Sequence, residues 1–135
     1  SGKAPKYIYI KDDHSHIFEI NEALQHNGII CLTGDRYFEG NKHLSATLLG
    51  QPARFPAGPF LIASRLGVPV IFVYVMKESN LHYHLYARVA QTPHRDAQGL
   101  LNAFTQSMEQ MLQRYPLQWF NYFDFWEELE VKSKK

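Results

Sequence analysis

The feature that most constrains the fold of this chain is a long run of apolar residues at helical spacing. The run consists of Ala97, Leu100, Leu101, Phe104, Met108, Met111, Leu112 and Tyr115, and Pro116 follows it. Residues three or four apart share one face of a helix, and proline cannot continue a helix. The pattern predicts an amphipathic helix over residues 97–115, whose apolar face needs a partner layer.

Strand patterns upstream of this helix would supply the partner layer. Residues 68–76 form an apolar run that is typical of a strand buried on both faces. Residues 81–89 alternate between apolar and polar side chains, which predicts a half-exposed strand. Before them, Pro59 fits the first turn of a helix that ends near Leu66, and Gly67 fits its C′ position.

The first part of the chain predicts a helix between two strands, followed by a loop. Residues 7–10 are β-branched and aromatic, as in a short strand, and residues 15–26 carry apolar side chains on one helical face. Residues 28–33 are a continuous apolar run, which predicts a buried strand with Cys31 in the core. Residues 34–56 are polar and dotted with aromatic side chains, and they predict a long functional loop.

Taken together, these elements predict the order β-α-β-loop-α-β-β-α. This is an α/β layered domain with a mostly buried mixed sheet and helices packed on it. A length of 135 residues and a hydrophobic content of 45% suit a single domain over residues 1–135.

Composition excludes several classes of function. The net charge is +1, with 14 basic against 13 acidic side chains, which argues against binding nucleic acid through overall charge. The single cysteine cannot form an internal disulfide. No apolar run approaches the roughly 20 residues that a membrane-spanning helix needs, so the chain itself is expected to be soluble.

Charged residues follow the predicted strand over residues 28–33. Asp35 and Arg36 stand at its carboxyl end, where α/β sheets bind ligands. Arg54 and Gly58 lie at the start of the helix predicted around Pro59. A guanidinium beside a helix N-terminus suits a phosphate or carboxylate. The alternative is that Asp35 and Arg36 only cap the loop or form a salt bridge in it.

Four segments resemble one known family. They are residues 34–40 (GDRYFEG), 53–59 (ARFPAGP), 68–73 (VPVIFV) and 115–120 (YPLQWF). In this order they resemble the lysophospholipid acyltransferase superfamily, and within it the lipid A biosynthesis (lauroyl/myristoyl) acyltransferases in their Bacteroides-like form. The resemblance runs from about residue 20 to residue 126.

The resemblance implies transfer of a fatty acyl group to a hydroxyl of a lipid acceptor. The donor would be acyl carrier protein or acyl-CoA, acting as a substrate, and no cofactor is implied. Asp35, Arg36, Arg54 and Gly58 would position the lipid head group or the phosphates of the donor. The parent protein would work at the cytoplasmic face of the inner membrane.

In this family a His-x4-Asp/Glu motif supplies the general base, well upstream of the Gly-Asp-Arg segment. His14 and Glu19 match it formally, but Glu19 stands only 15 residues before Gly34, which is too close for the arrangement in this family. On a helix, positions five apart do not face each other. We therefore expect no convincing catalytic residue here, and we expect the chain to be the C-terminal part of a longer acyltransferase that supplies only the substrate-positioning half.

Two of the remaining histidines are candidates for metal ligands. His82 and His84 lie two apart on a predicted strand and project from the same face, as paired zinc ligands can. A third ligand at suitable spacing is lacking, because His26, His43 and His94 are scattered. We therefore expect no metal site.

The aromatic segment over residues 119–126 (WFNYFDFW) has two interpretations. It could be a belt that contacts the membrane interface, or a terminal segment packed on the core. The second is favoured.

The sequence is compatible with three functions. The first is the substrate-positioning part of an acyltransferase, and the second is a non-catalytic relic of the same fold that binds a lipid or an acyl carrier. The third is an α/β domain unrelated to lipids. The expected partners are a lipid acceptor and acyl carrier protein or acyl-CoA, with a homodimer through an exposed sheet edge as a further expectation.

Overall fold

The computed structural model describes residues 4–10, 13–36 and 40–118. The chain divides into two units, Ser1–Thr33 and Gly34–Lys135. The predicted role of residues 119–126 lies outside the described residues.

The first unit contains one helix, α1, over Ser15–Gln25. The carboxylate of Asp13 accepts a hydrogen bond from the Ser15 N–H at 3.0 Å, close to where the helix begins. The helix ends where Gly28 N–H donates to Ala23 O at 2.8 Å, and a Cβ at residue 28 would lie 2.6 Å from that oxygen. The helix predicted over residues 15–26 is therefore confirmed.

The two strands predicted in this unit are wrong. Among the described residues, neither 7–10 nor 28–33 forms a strand. Ile29 is 89% exposed, and Cys31 is exposed instead of lying in a core. Apolar composition alone does not make a strand, because a strand also needs a partner for its backbone hydrogen bonds.

The second unit begins with a hairpin where the sequence predicted a loop. β1 over His43–Leu48 pairs antiparallel with β2 over Gln51–Pro56, and we call this pair the first hairpin. Leu49 and Gly50 connect the strands with φ values of 53° and 81°. Positive φ at both turn residues suits a two-residue hairpin loop. The long loop predicted over residues 34–56 is corrected accordingly.

The second helix, α2, covers Ala57–Arg65 and follows β2 directly. Pro59 lies in its first turn, and Gly67 has φ 65° just after the C-cap Leu66. Both placements agree with the sequence prediction.

A second hairpin follows α2. β3 over Ile71–Ser79 pairs antiparallel with β4 over His82–Val89. Phe72, Tyr74 and Met76 alternate onto the inner face of β3, which is buried or half-buried. The opposite face is exposed, so the strand predicted as buried on both faces is buried on one.

The third helix, α3, covers Ala97–Arg114 and packs against β1, α2 and β3. The Asp96 carboxylate accepts a hydrogen bond from Gly99 N–H at 2.8 Å and caps its start. The core lies between α3, α2 and the two hairpins, and its fully buried side chains include Phe55, Leu48, Leu100 and Leu101.

The α/β class is confirmed, but the sheet is arranged differently from the prediction. The described elements run α-β-β-α-β-β-α, and their strands form two separate two-stranded antiparallel sheets. A single mostly buried mixed sheet would need strand pairs between the hairpins, and the described strands pair only within each hairpin.

Candidate functional site

The segment Gly34–Arg36 starts the second unit against aromatic rings. A Cβ added to Gly34 would lie 3.2 Å from Phe60 Cζ and 3.6 Å from Phe104 Cε1. A side chain at residue 34 would require the Phe60 ring to shift by a few tenths of an ångström, so glycine permits this close approach. Since Phe60 belongs to the first half of α2, the exposed Asp35 and Arg36 leave the core beside that helix.

Arg54 lies on β2, close to the point where the strand becomes α2. It pairs with Ser45 across the first hairpin and is half-buried. Its neighbours Ala53 and Phe55 point into the core, so alternation places Arg54 on the outer face. The strand therefore places Arg54 three residues before the start of α2, on the outer face of the first hairpin.

The N-terminus of α2 offers few free N–H groups. Pro56 and Pro59 have no N–H, and Ala57 N–H donates to Lys42 O at 3.0 Å. Within the described part of the chain, Gly58 is thus the residue of the first helical turn whose N–H is available to a ligand. It is exposed, and a Cβ there would meet no atom within 4 Å.

These placements give a small candidate anion site. Arg54 and Gly58 lie four residues apart at the strand–helix junction, and Gly34, next to Asp35 and Arg36, lies against Phe60 of the same helix. A guanidinium and a helix N–H group can hold a phosphate or carboxylate oxygen. The roles of these residues stay predictions.

His14 and Glu19 lie in the other unit. His14 is the N-cap of α1 with φ 60°, and Glu19 is half-buried on the helix. No hydrogen bond or ion pair joins the two among the described residues. Their roles stay predictions.

The histidines considered as metal ligands have other partners. His82 Nδ1 lies 3.1 Å from Ser79 Oγ, and His84 Nδ1 lies 3.3 Å from Glu78 Oε1. In the described ranges, no group of three His, Cys, Asp or Glu residues could hold a metal ion.

A polar network that the sequence did not predict joins the second hairpin to the end of α3. Tyr115 OH donates to Glu78 Oε1 at 2.8 Å and lies 2.6 Å from Tyr86 OH. Because a carboxylate only accepts, the proton of Tyr115 goes to Glu78, and Tyr86 donates to Tyr115. His84 stacks on Tyr86 with ring centroids 4.3 Å apart. Arg114 lies over the same tyrosine at 5.3 Å.

The network shifts the protonation equilibrium of Glu78. The hydrogen bond from Tyr115 holds the pKa of the Glu78 carboxyl below its ordinary value. Glu78 is exposed and Tyr115 is half-buried, so the network joins the second hairpin to the end of α3 at the protein surface. Alternation along β4 already placed His84 and Tyr86 on one face, but their pairing with Tyr115 depends on where α3 ends.

Comparison with known proteins identifies the family. The model of the bacterial lipid A biosynthesis acyltransferases matches residues 8–126. The chain belongs to this family. No curated protein and no solved structure matches the chain. The match spans both units of the acyltransferase chain and includes Asp35, Arg36, Arg54 and Gly58, while the Bacteroides-like branch stays a prediction.

None of the helices described for this acyltransferase chain combines the length and apolar character required to cross a bilayer.

Proposed function

We propose that this chain serves the transfer of a fatty acyl group from acyl carrier protein or acyl-CoA to a hydroxyl of a lipid acceptor. The family match over residues 8–126 is the observation that carries the proposal. Within that reaction the chain supplies the substrate-positioning part, at the cytoplasmic face of the inner membrane.

The positioning site consists of Arg36, Arg54 and the Gly58 N–H, with Asp35 beside them. All four lie on the segment before the first hairpin or at the junction of β2 and α2. Phosphate groups occur on both substrates: on the donor's phosphopantetheine arm and on a phosphorylated lipid acceptor. A planar guanidinium with a helix N–H group holds such a group in a fixed orientation, which brings the acceptor hydroxyl toward the thioester.

Acyl transfer also requires a general base to remove the proton of the hydroxyl. His14 and Glu19 are not joined within the described residues, so we assign them no catalytic role. This observation favours a second candidate function, a non-catalytic domain of the same fold that binds a lipid or an acyl carrier.

Binding to acyl-CoA and to vesicles of a phosphorylated lipid tests the positioning site, with calorimetry as the measurement. Loss of a charge-assisted hydrogen bond costs about 1.5–3 kcal/mol, so Arg54→Ala should weaken binding by about tenfold or more. Arg65→Ala is the matched control, because Arg65 is exposed at the opposite end of α2. Equal affinities for Arg54→Ala and the parent protein would remove Arg54 from the site.

An acyl-transfer assay separates the two candidate functions. Assayed in the full-length protein, product formation that falls in Asp35→Ala supports acyl transfer, whereas binding without product supports the non-catalytic domain. Product formation that disappears in His14→Ala would overturn our view of that residue. A chain that binds neither acyl-CoA nor lipid would reject both candidates.

A further inference from the structure

The second hairpin has an apolar face that no described element covers. Alternation places these residues on the face opposite α3, in register across the two strands: Ile71, Val73 and Val75 on β3, and Tyr83, Leu85, Ala87 and Val89 on β4. Val73 and Val75 are 58% and 60% exposed, and Leu85 is 64% exposed. We call these seven residues the outer face.

The outer face contrasts with the ordinary behaviour of antiparallel sheets. Such sheets commonly bury one face and solvate the other, with polar side chains toward water. Here the cross-strand pairs Ile71 with Val89 and Val75 with Leu85 are apolar on the solvated side. A continuous apolar patch of this kind marks a contact surface.

The path of the chain after α3 leads to this hairpin. The side chain of Gln118 accepts a hydrogen bond from Lys77 N–H at 2.7 Å and donates one to Lys77 O. Both backbone groups of Lys77 therefore point to Gln118, away from β4. The described chain ends at the free edge of β3, beside the outer face.

The sequence that continues from Gln118 has the composition of a cover for such a face. Residues 119–126 (WFNYFDFW) are aromatic except for Asn121 and Asp124. Eight residues span at most about 26–29 Å. The outer face from Ile71 to Lys77 covers six strand steps, or about 20 Å. The segment is therefore long enough to reach the far end of the face from its starting point.

We propose that the outer face of the second hairpin is the docking surface for residues 119–126 of the same chain. Aromatic rings pack well on β-branched side chains, which supply most of the face. The Gln118–Lys77 hydrogen bonds fix where the segment starts, so little chain entropy is lost in bringing it to the sheet. This inference does not depend on the proposed function.

Tryptophan fluorescence tests the proposal directly, because the chain has two tryptophans and both, Trp119 and Trp126, lie in the segment. In the full chain, we expect blue-shifted emission and protection from acrylamide. Val75→Lys places a charge on the outer face, so its emission should shift to the red and its quenching should rise. Leu85→Lys, opposite Val75, should behave in the same way.

Leu49→Lys is the matched control, since Leu49 is 52% exposed at the turn of the first hairpin. It should leave the emission of the parent protein unchanged. Circular dichroism checks that each variant is folded, and Trp126→Phe assigns the signal to Trp119.

Three outcomes would overturn the proposal. Solvent-exposed tryptophan emission in the folded parent chain excludes docking. Emission that changes with protein concentration indicates that a second copy covers the face. Emission that shifts to the blue only when phospholipid vesicles are added indicates that the segment enters a lipid surface.

Discussion

The two hairpins of the second unit differ in how their outer faces are made. The first hairpin is apolar inside and polar outside: Ala46 and Phe55 are buried, whereas Ser45 and Thr47 face solvent. The second hairpin is apolar on its outer face, and on its inner face β3 contributes the buried Phe72. Both pack on the same helix, α3. Both hairpins thus pack on α3, but only the second one has an apolar outer face that is exposed.

The comparison shows that the inner faces of the two hairpins pack on a shared core, whereas the outer faces do not share a partner in the described part of the structure. The inner faces meet the described core, where Phe104 contacts Phe55, Phe60 and Phe72 with ring centroids 5.3–6.3 Å apart. Among the described residues, the outer faces have no such common partner. Substitutions on inner faces should therefore have equal effects in the two hairpins, and substitutions on outer faces should not.

The largest effect is expected for Phe55→Ala. Phe55 is fully buried on the inner face of β2, and removing a buried ring costs about 3–5 kcal/mol of unfolding free energy. Phe72→Ala, on the inner face of β3 and 8% exposed, should cost a similar amount. Urea denaturation measures both. A loss for Phe72→Ala far below that for Phe55→Ala would mean that the second hairpin does not share the core.

The sequence predicted elements with strong periodicity or clear end signals. The helix over residues 97–115, the helix that starts near Pro59 and the alternating strand over 81–89 all occur close to their predicted bounds. The strands over 7–10 and 28–33 do not occur, since their apolar composition finds no backbone partner in the described structure. The sequence pattern did not predict the first hairpin, because only the inner positions of its strands are apolar and polar residues and prolines lie between them.

For the candidate site, the sequence indicated chain positions but no contacts. Sequence placed Arg54 before a helix, and the structure has it on the strand that leads into α2. That helix start has few free donors, because Pro56 and Pro59 have no N–H. The Glu78–Tyr115–Tyr86 network could not be predicted from spacing, since it joins residues on three different elements.

A smaller, pH-dependent effect is expected for Glu78→Gln in the second hairpin. The pKa of Glu78 is lowered in the folded state from an ordinary value of 4.5, chiefly by the hydrogen bond from Tyr115. A lowered folded-state pKa stabilises the protein above the ordinary value, and this stability is lost as the pH falls through the folded-state pKa. The parent protein should therefore lose more thermal stability than Glu78→Gln between neutral and acidic pH.

Melting temperature as a function of pH provides the measurement, and Glu22→Gln on α1 controls for removal of a surface carboxylate. His84 and Arg114 face Glu78 as well, and both favour its charged form. Parallel pH curves for the parent protein and Glu78→Gln would show that the tie between the second hairpin and α3 contributes no stability.

The smallest effect is expected for Thr47→Val on the outer face of the first hairpin. Thr47 is exposed and pairs with Pro52, so the change should stay within about 0.5 kcal/mol of unfolding free energy. The reverse exchange on the second hairpin, Val75→Thr, should cost more if residues 119–126 cover that face, because a buried hydroxyl then lacks a partner. Urea denaturation of the two variants side by side measures the difference between the outer faces. Equally small losses would mean that both outer faces are open to water, and the distinction between the hairpins would then be one of composition alone.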